Sequence, residues 1–596
     1  MAVLAGCEGS HLLPGMSAPG SGSPQGSGLY VSARNGSDRN DGSFARPFRT
    51  IGRCARTARP HQTCLVRPGI YRETVVPNDG ITIRPLDSSA TLLATKQVTG
   101  WKVYSGQIYV AHVKLNGTLP ADQVFIGPGT TLLSEAQYPA PSSNPLQPNW
   151  AVEAYGSTLT QIVDPNMPAV DLSGAIVNVW SGTDPWTHIQ GPVTSSGGGT
   201  LTFTPNGGDC QPSSQCYVGS MPGGFYYVTG ALGLLQAPGE WYYDSSKHEL
   251  YLWAPNGADP NTLDVEAKDR QVLIDLSGKS HVTVDGMTLI GGGIMMNSAS
   301  SNNTITGITA LYVSQVLTAN NDYRTFYSWP EGSGLVLDGS ENVIENSTIA
   351  YSATNGVLLR GHNNTVTNSL IHDVDWIGDY SAGVLPVAGG NHITYNTIYN
   401  TGRAAVEDDY STKTPTKNLE VGNNNFFNAM YLSVDGGTFY ATSSYGQVAK
   451  GTNVHDNWLH PEINPAGRIP NSNTCTCPWA GIYIDSGIGG LTVSNNIVWD
   501  SYPDLTAFPS KNVTVSYNTL LDQTAKGVWL GCYGNCDDKY PGTIVEFNQI
   551  YTNIWNRGKY EVPQYDNSSY APGAGTIPQP GCTITGCNVG TTPPGS

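Results

Sequence analysis

Asn396-Thr397-Ile398, Asn424-Asn425-Phe426 and Asn457-Trp458-Leu459 are three copies of one small pattern, an asparagine two residues ahead of an apolar side chain. Each is followed by a short alternating run that ends in an acid: Ala404-Ala405-Val406-Glu407, Leu432-Ser433-Val434-Asp435 and Ile482-Tyr483-Ile484-Asp485. Glu407 and Asp435 each stand eleven residues beyond their asparagine. Successive coils of a solenoid produce such repetition, which predicts that the three carboxylates stand in one column on one face.

The pattern extends well beyond this stretch. A Gly or Asn shortly before an apolar residue recurs at Gly286, Gly307, Asn346, Asn368, Asn396, Asn424, Asn457, Asn495, Asn518 and Asn548. The shortest spacings are 21 (Gly286 to Gly307), 22 (Asn346 to Asn368) and 23 residues (Asn495 to Asn518), and the rest are that length plus an insertion. A coil of this size with one short strand per side is the repeat of a parallel β-helix. Asparagine suits a sharp corner because its amide bonds the backbone and it tolerates left-handed dihedrals. Stacked asparagines can also bond to the next coil as a ladder, so the column reads as structural. The solenoid is expected over residues 266–557.

Upstream, residues 1–28 read as a leader and flexible Gly/Ser/Pro tether. Within it Leu4-Ala5-Gly6-Cys7 resembles the lipobox of bacterial lipoproteins, which implies lipidation of Cys7 and an extracytoplasmic site, anchored at a membrane or secreted. Residues 29–100 carry Tyr30-Val31-Ser32, Pro47-Phe48-Arg49-Thr50-Ile51 and Val66-Arg67-Pro68-Gly69-Ile70-Tyr71. This series resembles the opening coils of right-handed parallel β-helix proteins that act on polysaccharides, in which a short helix plugs the end of the solenoid; Phe48 to Ala55 has helical spacing. Residues 101–265 hold strands without a repeating coil length, including a hairpin from Gly239 to Trp253, and read as an inserted β-sandwich-like module. Residues 558–596 form a Pro/Gly-rich tail that either wraps the outside or trails.

Composition limits the partners. Of 596 residues only 13% are charged, against about a quarter in an average domain, while there are 70 Gly, 40 Pro and 32 Tyr. Short strands and tight turns give that mixture; long charged helices do not. A net charge of −17 argues against nucleic acid or an anionic membrane as partner, and no stretch is long and apolar enough to cross a bilayer. Ten of the eleven cysteines fall into close pairs: Cys54 with Cys64, Cys210 with Cys216, Cys475 with Cys477, Cys532 with Cys536 and Cys582 with Cys587. These read as local disulfides of an oxidising compartment, with the bridge from Cys475 to Cys477 strained by its single intervening residue.

Like charges at coil spacing, about 4.8 Å, are costly and mark function. Asp435 and Asp485 are the expected working pair, with Glu407 tuning them or binding substrate. Neighbouring coils would set two carboxylates roughly 5 Å apart, as in a retaining glycosidase, and alternate coils roughly 9–10 Å, as in an inverting one. Insertions at 408–418, 436–451 and 460–480 would wall the cleft. Tyr410, Tyr440, Tyr445, Trp458, Trp479 and Tyr483 offer faces for sugars, and Arg360, Arg403, Lys450 and Arg468 offer donors. His372-Asp373-Val374-Asp375-Trp376, with Asp379, is a second polar group that could ligate Ca²⁺ or line the cleft; otherwise no cofactor or metal is expected. The oligomeric state is not encoded in any motif.

Val434-Asp435-Gly436-Gly437-Thr438-Phe439-Tyr440, Gly481-Ile482-Tyr483-Ile484-Asp485-Ser486-Gly487 and the module's Pro238-Gly239-Glu240-Trp241-Tyr242-Tyr243-Asp244 together resemble the β-helical glycoside hydrolases of families 141 and 120. That resemblance implies an all-β right-handed parallel β-helix, a carbohydrate substrate and catalysis by Asp435 and Asp485; Ser486 stands where a second acid is common. Two other readings remain: a Ca²⁺-assisted polysaccharide lyase with Lys450 or Arg403 as base, and a glycan-binding surface lipoprotein without catalysis.

Overall fold

Coil by coil, the backbone follows the repeat. The computed structural model describes residues 28–87, 90–116, 123–180, 188–205, 224–315, 333–378, 380–409, 416–442, 449–461, 478–485, 487–508, 510–521, 527–530, 542–550, 554–556, 564–565, 568–569 and 580–587. Each coil contributes one strand to each of three parallel sheets, as in Thr365–Thr367, Leu370–Val374 and Ala382–Pro386. Among the described residues these first, second and third sheets hold 14, 13 and 11 strands. Because side chains alternate along a strand, Val366, Ile371 and Val384 point inward and are fully buried, each stacked on its counterpart one coil away. The result is a right-handed parallel β-helix.

The N-terminal end of the core column is closed by the helix Ile51–Thr57, whose Ile51, Cys54 and Ala55 join the core. Thr50 caps it by accepting from the Arg53 amide at 3.1 Å, and Glu73 accepts from the Ile51 and Gly52 amides at 2.8 and 2.9 Å. Amides that a helix start leaves unpaired are thereby satisfied. Cys54 and Cys64 are bridged, with Cα atoms 6.0 Å apart.

The column of Gly and Asn residues resolves into two positions. Asn396, Asn424, Asn457, Asn518 and Asn548 form a buried ladder between the first and second sheets, joined by Asn496 rather than Asn495. From Asn424 onward each side-chain oxygen accepts from the backbone amide of the asparagine one coil before it, at 2.8 to 3.1 Å, and that of Asn396 accepts from the Ser369 amide at 3.1 Å. Gly286, Gly307, Asn346, Asn368 and Asn495 instead occupy the preceding left-handed corner, with φ between 46 and 66°. In the two coils after Gly307 the ladder residue is Ser347 or Ser369. A second ladder, Asn303-Asn342-Asn364-Asn391, runs between the third and first sheets.

The inserted module leaves and re-enters between two coils through Thr95–Val98, paired antiparallel with Val265–Lys268. Among the described residues these two strands belong to a four-stranded sheet, sheets of five and seven strands lie between them, and Glu240–Asp244 with Glu249–Trp253 forms the expected hairpin. The module packs on the corner between the second and third sheets, where Leu146, Trp376, Ile377 and Leu432 are buried together with Trp150 against them. Coils continue past residue 557 to Ser568–Ser569. The tail then returns along the second sheet: Gly581 donates to the Asn423 carbonyl at 3.0 Å and Thr583 to Asn368 Oδ1 at 2.7 Å, beside the bridge between Cys582 and Cys587. Of the five expected bridges, two are thus seen. The other three, Cys210 with Cys216, Cys475 with Cys477 and Cys532 with Cys536, lie outside the described residues, as does Cys7. Among the described residues no helix is long and apolar enough to cross a membrane.

Candidate active site

The three acids do not stack in one column. Glu407 lies inside the strand Ala404–Asp409 and pairs in register with Tyr440, which pairs with Tyr483. Asp435 precedes the strand Gly436–Thr442, and Asp485 follows Trp479–Ile484. Leu432-Ser433-Val434 is therefore not a strand. The path between the second and third sheets causes the difference: two residues, 402–403, in one coil and eight, 428–435, in the next. Eleven residues from Asn396 reach mid-strand, whereas eleven from Asn424 reach only the corner.

Val406, Phe439 and Ile482 face the core, so Glu407, Tyr440 and Tyr483 leave the coil on its outer side. There the Arg403 side chain is fully buried. Its Nε lies 3.3 Å from Glu407 Oε2, Nη1 donates to Ser433 Oγ at 2.7 Å, and Nη2 donates to the Asp435 carbonyl at 3.0 Å. Its guanidinium carbon stands 4.2 Å from the Tyr380 ring centre and 4.9 Å from that of Tyr440. Burial works against its charge, yet Glu407, then the phenols of Tyr380 and Tyr440 and the carboxylate of Asp435, outweigh that and hold its pKa up. Arg403 thus anchors the turn that carries Asp435, a residue held at φ 58°. Gly436 makes room for this: a Cβ there would come within 2.8 Å of Met430 Cε and 3.5 Å of the guanidinium carbon.

Two phenols cross between the coils. Tyr440 donates to Asp485 Oδ2 at 3.0 Å, and Tyr483, on the following coil, donates back to Asp435 Oδ1 at 3.2 Å. The rings lie 5.2 Å apart. Asp435 and Asp485 thus stand at opposite ends of neighbouring strands and are linked through this pair of phenols. Burial first, and then Asp485, push the Tyr440 pKa well above that of an ordinary phenol, so it stays a donor. Asp435 is half-buried and Asp485 4% exposed. Two oriented carboxylates on one wall can divide the roles of acid and base or nucleophile.

Trp479 starts the strand beside Gly436 and stacks on Tyr502 at 6.0 Å, which keeps it near Asp435. Other candidates lie elsewhere. Arg360 pairs with Asp338 at 3.8 Å several coils toward the N-terminus. His372 and Trp458 are on the second sheet, His372 stacked on Tyr399 and Trp458 packed with Ile497, Trp499 and Leu521. Asp375 is buried, accepting from the Gly378 amide, and Trp376 packs under the inserted module. Lys450 is exposed. Tyr410, Tyr445, Arg468, Asp379 and Ser486 fall outside the described residues, as do most of the three insertions. Among the described residues no group of three or more His, Cys, Asp or Glu is placed to hold a metal ion. Sequence reasoning missed Ser433 and Tyr380; the serine two residues before Asp435 was the only available signal.

Residues 306–461 match the family model described as "Right handed beta helix region". Among solved structures, one titled "Glycoside hydrolase" aligns at TM-score 0.57 and 14% identity over 87% of this chain and 96% of its own. A structure of XylC with xylose aligns at TM-score 0.47 and 14% identity over 92% and 87%. A GH136 lacto-N-biosidase from Eubacterium ramulus aligns at 0.30 and 9% over 91% and 68%. None of the curated proteins compared matches the chain.

Proposed function

We propose that the chain is a glycoside hydrolase in which Asp435 and Asp485 form the working carboxylate pair. One observation carries this: two acids from neighbouring coils are each fixed by a phenol of the other's coil, over a buried Arg403–Glu407 pair. Orienting groups that are themselves locked is what positions catalytic carboxylates. Glu407 is committed to Arg403 and serves the site as counter-ion. Of the two bases named for a lyase, Arg403 is buried and held in its charged form, and Lys450 stands exposed at the approach to the first sheet, where its carbonyl accepts from the Asn418 amide at 3.1 Å. We place the protein outside the cytoplasm, secreted or anchored through Cys7, a reading supported by the local bridges of Cys54 with Cys64 and Cys582 with Cys587.

A panel of plant and microbial glycans, read by product mass and by proton NMR of the first anomer released, tests the activity. A saturated reducing sugar carrying solvent oxygen is expected. An unsaturated product absorbing in the ultraviolet would overturn hydrolysis, as would full turnover by Asp435→Asn or Asp485→Asn.

A further inference from the structure

A cleft, partly open to solvent, lies where the inserted module meets the solenoid. From the module it is lined by Glu135, Gln137, Tyr227 and Trp241, and from the solenoid by Gln315 and Trp376. Junctions between domains are where small-molecule sites gather. Tyr227, Trp241 and Trp376 border it as apolar side chains that are themselves buried. The Gln315 side-chain oxygen is buried and has no hydrogen-bond partner among the described residues, a cost that a ligand hydroxyl would remove.

The solenoid residues place this cleft relative to the acids. Gln315, Ala353 and Trp376 line it from successive coils along the corner between the second and third sheets. Arg403 and Asp435 continue the same corner, with Leu432 packed in one cluster with Trp376. Trp376 and Asp435 are thus two coil steps apart, about 10 Å. Glu135 is the sole charged side chain among the lining residues. A uronate or sulfated unit would bring a second negative charge into a wall that already carries one. A neutral sugar instead offers hydroxyls that donate to Gln315 and C–H groups that meet the rims of the buried rings.

We propose that this cleft is a subsite for a neutral sugar unit of a chain that extends along the corner from the Asp435–Asp485 pair, an inference that rests on the hydrolase reading above. Binding is tested on the full chain carrying Asp485→Asn, so that substrate survives, by calorimetric titration with neutral oligosaccharides of increasing length drawn from those the parent cleaves. Longer chains should bind at least five-fold tighter than the shortest, and Gln315→Ala and Tyr227→Phe should each erase most of that increment while melting temperature holds. An increment unchanged in both variants overturns the subsite, as does cleavage of glycans with no length dependence of binding. If a uronate chain of equal length gains from the cleft as much as a neutral one, the neutral assignment is wrong. A panel in which no glycan is cleaved removes the hydrolase reading itself, an outcome distinct from the others.

Discussion

Tyr440 and Asp485 belong to neighbouring coils, and the phenol of one donates to the carboxylate of the other at 3.0 Å. The bond ties the end of one strand to the middle of the next, and with Tyr483–Asp435 it fixes both acids from across the coil boundary. Removing the phenolic oxygen takes this bond from Asp485 without taking away a charge. Tyr440→Phe should lower kcat about 10- to 100-fold, by analogy with loss of one positioning or proton-handling contact, with the melting temperature nearly unchanged. Asp435→Asn and Asp485→Asn should each cost at least about 10³-fold. Turnover assays beside thermal melts check the set, and a Tyr440→Phe enzyme at full rate would remove the phenol from the site.

Glu407 should behave differently from the other two acids. Both partners of its ion pair with Arg403 are fully buried, so neutralising one leaves a charge stranded. Glu407→Gln is expected to destabilise by about 3–5 kcal/mol, seen as a lower urea midpoint. Replacing Arg403 by Met in the same chain should recover part of that loss.

The two classes of corner residue give opposite outcomes. Asn496 is buried and its oxygen accepts from the Asn457 amide at 3.1 Å, so Asn496→Ala should cost about 2–3 kcal/mol through unsatisfied buried groups. Asn495 beside it sits exposed at φ 57°, a conformation glycine adopts freely. Asn495→Gly should leave stability within about 0.5 kcal/mol. Denaturant titration of the pair tests the split directly.

The inserted module carries a pH dependence of its own. Glu153 is 2% exposed, its carboxylate oxygens have no hydrogen-bond partner among the described residues, and burial raises its pKa to about 8. The folded chain therefore holds a proton that the unfolded chain releases near its ordinary value of 4.5. That contribution to stability is fully present below pH 4.5 and is lost as pH rises through about 8. Glu153→Gln should remove the decline, gaining a few kcal/mol, on the order of 3–5, at pH 8 relative to the parent. Thermal melts of both proteins between pH 5 and pH 9 should converge at the acid end.

The sequence alone determined the coil, because inward side chains must alternate along each strand and a corner asparagine must recur once per turn for the stack to pack and its amides to be satisfied. It also singled out Asp435, Asp485 and Glu407 as acids that follow short strands and Arg403 as a donor near them, and the fold links Arg403 to Glu407 and to the Asp435 carbonyl. What it could not determine was who faces whom. Equal spacing of eleven residues carried Glu407 to mid-strand and Asp435 to a corner, because one bend takes two residues and the next takes eight. It likewise merged the left-handed corner with the ladder, one residue apart, because asparagine suits both. Register across a parallel sheet pairs residues of neighbouring coils that lie 19 or more positions apart in the chain, and only the folded stack brings those partners together. That register placed Tyr440 and Tyr483 between the two acids and left the expected column unformed.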